Sequence, residues 1–193
     1  ARAWLAARRL GTPRWVPGGG AHPRAVIGHL LAALELGDQL PAPPDAVVLP
    51  LGTGSTAAGL VLGLACLGWP TRVVGVRVAP PLIANAWRSA RLARAGARLL
   101  ARQGVAIPRP PSFVPVVIDG LGRGYGFATA RGEAARSRAA EHGLALDSTY
   151  GAKAFAALSQ LPGRRFHRIV FWHTFAFPPS PASELHGDDP SDG

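Results

Sequence analysis

Residues Ala46 to Leu60, AVVLPLGTGSTAAGL, constrain this chain more than any other stretch. The unbroken apolar run predicts a buried strand. Gly52-Thr53-Gly54-Ser55-Thr56 predicts a tight turn, and the small and apolar residues beyond it predict a helix. Small residues in the turn let a ligand approach the backbone. The N–H groups of Gly54, Ser55 and Thr56 then point out of a helix N-terminus, with hydroxyl side chains beside them, as a cradle for an anion. An ordinary strand-to-helix turn with Thr56 as its cap is the competing reading. No Lys follows Gly59, so the P-loop pattern fails. Gly52-x-Gly54-x-x-Ala57 meets the loose dinucleotide fingerprint, but the next apolar run, Val73 to Val78, ends in Arg77 and Val78 without a ribose-binding acid. A phosphate group fits this turn better than a dinucleotide does.

Taken in order, Ala1–Leu10 reads as a short Arg-rich helix, Pro13–Pro17 as an extended piece and Gly18-Gly19-Gly20 as a flexible connection. From Pro23, apolar residues at helical spacing predict a helix that Gly37 ends. After the helix that follows the cradle, Thr71–Val78 predicts a second strand, continuous rather than alternating, as for a strand covered on both faces. Pro80–Gln103 predicts a long helix in which Arg88, Arg91, Arg94, Arg98 and Arg102 form a solvated stripe. Val116–Ile118 predicts a third strand and Gly120–Gly126 a mobile loop around Tyr125. Thr129 caps a helix reaching His142. Leu144–Lys153 is a polar turn carrying Tyr150, followed by a helix to Leu161. Arg168–Trp172 is the last strand, and the Pro-, Ser- and Asp-rich residues from Phe175 predict disorder. Strands alternating with helices give an α/β fold with a doubly wound, mostly parallel sheet. Its ligand crevice lies beyond the carboxyl ends of the strands, where the cradle, the Asp119–Gly126 loop and His173-Thr174 converge and Tyr150 enters.

A chain of 193 residues with 48% hydrophobic content is enough for one compact core. No apolar run approaches the roughly 20 residues of a membrane span, and no leader pattern opens the chain, so a soluble, cytoplasmic protein is expected. Cys66 is the one cysteine, which leaves no disulfide framework and reads as a buried thiol. The net charge is +10. The bases are scattered without interleaved aromatics, so nucleic acid is not the expected partner. The six histidines lack metal-ligand spacing, and His173 reads as a hydrogen-bonded residue at a strand end. No Gly-x-Ser-x-Gly elbow occurs. Tyr125 and Tyr150, the only tyrosines, both lie in glycine-rich polar loops.

PGGGAHPRAVIGHLLAALEL, LGTGSTAAGL, GRGYGFAT, LALDSTYGAKAFAAL and IVFWHT stand in the order found in the pyridoxal-phosphate enzymes that include D-cysteine desulfhydrase and 1-aminocyclopropane-1-carboxylate (ACC) deaminase. The chain resembles the C-terminal, cofactor-binding part of this family, which has a tryptophan synthase beta-like fold, over most of residues 1–174. The resemblance implies that Gly52, Thr53, Gly54, Ser55 and Thr56 hold the phosphate of pyridoxal 5′-phosphate and that Thr174 bonds its ring nitrogen. It also implies that Tyr125 and Tyr150 face a small amino-acid substrate, for β-elimination or deamination. A homodimer is compatible with it. On this reading residues 1–17 end a smaller domain, 18–174 form the cofactor-binding domain and 175–193 are a disordered tail.

The sequence also departs from the family. The lysine that carries the cofactor belongs to a family segment that these residues do not match, and Lys153, the only lysine, aligns with a different one. Gly151 stands where the deaminases have Glu and the desulfhydrases Thr, and Phe175-Ala176 replace the usual Gly-Gly. A partial enzyme, inactive alone, is expected. The alternative is a non-catalytic nucleotide-binding module resting on Gly52-x-Gly54-x-x-Ala57 and Arg77.

Overall fold

The computed structural model describes residues 16–161 and 166–174. The expectations for residues 1–15 and for the tail from Phe175 lie outside them. Helix α1 (Pro23–Gln39) leads to strand β1 (Ala46–Leu51), α2 (Ser55–Cys66), β2 (Arg72–Arg77), α3 (Ala86–Ala101), β3 (Val116–Asp119), α4 (Ala130–Glu141), α5 (Gly151–Ala156) and β4 (Ile169–Phe171). A short 3-10 turn, Ala157–Gln160, extends α5. All pairings are parallel and the strand order is β3-β2-β1-β4. The chain thus steps outward from β1 through β2 to β3, then returns to the far side of β1. This makes the β1–β4 gap the switch point, where a ligand crevice is expected in such sheets.

Alternation along β1 sorts the core into two layers. Val47, Leu49 and Leu51 pack with Ala57, Leu60, Val61 and Leu64 of α2 and with Ala33 and Leu36 of α1. Ala46 and Val48, with Val74 and Val76 of β2, face Ala154 of α5 and Ala157 on the opposite side. Every residue of β1 is buried, which explains why its sequence is continuously apolar. Each fully buried Leu or Val here contributes about 1.5–3 kcal/mol of transfer free energy. Helix α3 joins through Ala93, which packs on Val26 and Leu30 of α1 and Ala58 and Leu62 of α2.

The start of α3 differs from expectation. Pro80 to Ala84 form a turn in which the N–H groups of Ile83 and Ala84 both donate to the Pro80 carbonyl, at 2.8 and 2.9 Å. The helix begins at Ala86 because the Asn85 side chain caps it, accepting from the Arg88 N–H at 2.9 Å. At the opposite end of the sheet, Asp45 accepts from the N–H groups of His167 and Arg168 at 2.7 and 2.9 Å and so anchors the entry to β4. Among the described residues no helix is long and apolar enough to cross a membrane.

Candidate functional site

The turn after β1 takes its shape from Gly54, which has φ +94° and is the N-cap of α2. Thr56 is therefore not the cap, and no side chain caps this helix. The first backbone bond of α2 runs from Ala58 N–H to the Gly54 carbonyl at 2.9 Å. Helix geometry leaves the N–H groups of Ser55, Thr56 and Ala57 without an intrahelical acceptor, and the positive end of the helix dipole adds to them. All three residues line a cavity of about 750 Å³ at the carboxyl ends of β1 and β4.

The hydroxyls beside these amides are already engaged. Thr53 Oγ1 donates to the Gly19 carbonyl and Ser55 Oγ to the Gly20 carbonyl, each at 3.1 Å. Gly18–Gly20 is consequently a 3-10 turn folded over the cradle rather than a flexible connection, with Gly19 and Gly20 at φ +61° and +63°. Thr56 Oγ1 lies 3.2 Å from His29 Nε2, and burial pushes the His29 imidazole below its usual pKa.

The cavity also receives Tyr125, Tyr150, Thr174 and Arg88. Tyr125 and Tyr150 share a hydrogen bond between their hydroxyls, with the rings edge to face at 5.9 Å. That bond, together with burial and the Asp147 carboxylate, pushes the Tyr150 hydroxyl up to about 12. Tyr150 is held by a local device: Asp147 accepts from the N–H groups of Thr149, Tyr150 and Gly151 at 2.9, 2.6 and 2.7 Å. A Cβ at position 151 would sit 3.0 Å from the Asp147 carboxylate, which favours Gly there. Thr174 reaches the cavity because β4 ends two residues before His173 and the chain continues along its direction.

All eight residues singled out from the sequence, Gly52, Thr53, Gly54, Ser55, Thr56, Tyr125, Tyr150 and Thr174, line this one cavity. His173 does not. It stacks on Phe171 and, contrary to expectation, its buried Nε2 has no partner among the described residues. Arg77 is likewise committed elsewhere, donating to the Ala84 carbonyl at 2.9 Å and pairing with Asp119 at 3.7 Å. Gly18–Gly20, His29 and Arg88 are lining residues that sequence reasoning missed. For the first of these a signal existed in the three consecutive glycines. Arg88 was hidden in the arginine stripe, yet it is partly buried and its Nε has no hydrogen-bond partner. Among the described residues no carboxylate lines the cavity, so the site carries a positive guanidinium and a helix N-terminus with nothing to neutralise them. The chemistry of the site is that of an anion receptor with two phenols and a hydroxyl alongside. No group of three metal-ligating side chains occurs among the described residues.

Comparison with known proteins places the chain in a family. The family model described as pyridoxal-phosphate dependent enzyme matches residues 2–174. The chain belongs to this family. Its members' cofactor, pyridoxal phosphate, carries a phosphate that suits the orphan amides of α2, and the residues present fit it. Among curated relatives, a putative ACC deaminase of Pyrococcus horikoshii is 30% identical over 164 residues, 84% of this chain and 49% of that protein. The nocardicin C-9′ epimerase of Nocardia uniformis subsp. tsuyamanensis is 36% identical over 169 residues, 82% and 49%. The D-cysteine desulfhydrase of Serratia proteamaculans is 31% identical over 176 residues, 86% and 51%. A crystal structure of an ACC deaminase homologue superimposes with TM-score 0.73 at 30% identity, covering 88% of this chain and 50% of that one. The chain spans about half the length of the curated relatives it matches.

Proposed function

We propose that the cavity is the pyridoxal-phosphate half-site of an enzyme acting at the α-carbon of a small amino acid. In this reading the Ser55, Thr56 and Ala57 amides hold the cofactor phosphate, with Gly52–Gly54 shaping the turn. Thr174 bonds the ring nitrogen, and Tyr125 and Tyr150 face the substrate. The observation that carries it is the meeting of an uncapped helix N-terminus, a hydroxyl pair and a strand-end Thr in one cavity that no carboxylate of the described residues lines. Bound cofactor supplies an electron sink for charge developing at the substrate carbon. β-Elimination or deamination is the parent reaction, and the neutral hydroxyl of Thr174 at the ring nitrogen favours the desulfhydrase type. The hydroxyl pair fits a hydrogen-bonding role toward the substrate, since the raised Tyr150 hydroxyl stays a protonated donor at neutral pH.

These 193 residues are proposed to hold the cofactor reversibly and to be silent alone. Lys153 is the only lysine, and its Nζ is bonded to the Leu121 and Gly124 carbonyls rather than lining the cavity. The test is to titrate the chain with pyridoxal phosphate, NADP and RNA at one salt concentration, reduce the first mixture with borohydride and map any modified lysine. Turnover of D-cysteine and of ACC is assayed in parallel. Saturable binding of pyridoxal phosphate alone, without a modified lysine or product, is expected. No binding of pyridoxal phosphate, or turnover that disappears in Lys153→Ala, would overturn the reading.

A further inference from the structure

Lys153 is 2% exposed, on the buried side of α5. An amine in that position is costly unless each of its donors finds a partner, and burial lowers its pKa against the opposing pull of Asp147. Its partners are the Leu121 carbonyl at 3.0 Å and the Gly124 carbonyl at 3.1 Å. Both belong to the loop that carries Tyr125. That loop contains no helix or strand, and Gly122, Gly124 and Gly126 are all at positive φ. Among the described residues its other bonds are Gly120 N–H to the Arg77 carbonyl, a long contact from Leu121 N–H to Asp119, and the Tyr125–Tyr150 pair. A Met or Leu would fill the same volume without the desolvation cost, so packing alone does not explain a lysine here.

We propose that Lys153 is a positioning residue: its amine pins the carbonyls of Leu121 and Gly124 and thereby sets the Tyr125 hydroxyl against that of Tyr150 at the cavity wall. Asp147 completes the device from the other side, fixing the backbone of Tyr150 three residues before Lys153. One buried ion thus orders the loop and one carboxylate the turn. The catalytic meaning of the tyrosine pair rests on the cofactor reading above, but the pin is measurable without cofactor.

The chain contains only two tyrosines, so tyrosine-selective carbon-13 labelling of the 193-residue protein gives two Cζ signals, both sensitive to the hydroxyl hydrogen bond. Tyr125→Phe removes one and marks where Tyr150 resonates without its partner. Lys153→Met is expected to move the Tyr150 signal to that marked position, and Lys153→Arg, which keeps the donors, to return it toward the wild-type one. A folded Lys153→Met protein whose Tyr150 signal stays at the wild-type position overturns the proposal. If Lys153→Met does not fold, Lys153→Gln replaces it under the same criterion. Failure of both to fold also overturns the proposal, because the lysine is then a core element rather than a pin. Loss of pyridoxal-phosphate binding in the wild type would sink the cofactor reading and leave this result untouched.

Discussion

Gly54 and Ser89 are in direct contact. A Cβ built on Gly54 would lie 2.5 Å from Ser89 Oγ and 3.2 Å from Ser89 Cα. Ser89 is completely buried in the first turn of α3 and its hydroxyl donates to the Asn85 carbonyl at 3.2 Å. The cradle turn is therefore clamped between β1 and α3, and its two glycines have different jobs. Gly54→Val is expected to destabilise the whole fold, by about 3 kcal/mol or more, since left-handed backbone strain adds to a clash with the buried Ser89 hydroxyl and crowding of its backbone. Thermal unfolding of the variant checks this.

Gly52 is the cleaner probe of ligand binding. A Cβ there has nothing within 4 Å and its φ is not positive, so Gly52→Asp should leave the melting temperature within a few degrees. It places a negative charge in the cradle, and pyridoxal phosphate should bind at least about tenfold more weakly, equivalent to about 1.4 kcal/mol. Equal affinity for the two proteins would remove the phosphate from this turn.

Arg88 brings a guanidinium to the cavity with its Nε unbonded. Arg88→Met keeps most of the apolar stem and removes the charge. Affinity for pyridoxal phosphate should fall roughly tenfold, with a weaker dependence on salt concentration. Titrations at two ionic strengths test it, and an unchanged salt slope would place Arg88 outside the binding site.

Tyr150 gives an alkaline signature. Its hydroxyl is raised from an ordinary 10.0 to about 12, the largest cause being the bond to Tyr125. A group whose pKa is higher in the folded state contributes stability that is complete below about 10 and is lost as pH rises through about 12. Tyr125→Phe should lower the onset of tyrosinate absorbance for Tyr150 and weaken the protein below pH 10. The difference from wild type should vanish at the alkaline end.

Asp45 gives the acid counterpart. The N–H groups of Arg168 and then His167 hold its carboxyl below the ordinary 3.8. Its contribution is present above that value and is lost as pH falls through the lower, folded-state pKa. Asp45→Asn should be less stable than wild type at neutral pH, and its urea midpoint should fall less steeply between pH 4 and the acid limit.

The strand-turn-helix unit could be read directly because both its signals are local: an unbroken apolar run covered on two faces, and glycines where the backbone must turn. The tyrosines stood out because only two exist and both sit among glycines, but their place beside a substrate came from the resemblance to the family, not from those features. What was missed depends on contacts distant in sequence. The prolines at 80 and 81 resemble the first turn of a helix, and only the side chain of Asn85 shows where α3 begins. Arg88 follows the same spacing as the exposed Arg91, Arg94 and Arg98. It is partly buried at the cavity wall, where the cradle turn meets α3 through Gly54 and Ser89, a neighbour that no periodicity within one helix reveals. Gly18–Gly20 looks free until the hydroxyls of Thr53 and Ser55, more than thirty residues on, take its carbonyls.

Among the described residues, the strand that delivers Thr174 is the last in sequence, yet it pairs with the first. The bond from Arg168 N–H to Asp45 spans 123 positions, whereas β1 and β2 are neighbours in sequence as in space. Closing so long a loop is entropically expensive and slow compared with local pairing. Docking of β4 is thus the expected final event of folding, and the crevice between the cradle and Thr174 does not exist before it. A molecule gripping both sides of that crevice binds a contact absent from the folding transition state, so it should slow unfolding while leaving the rate of folding unchanged.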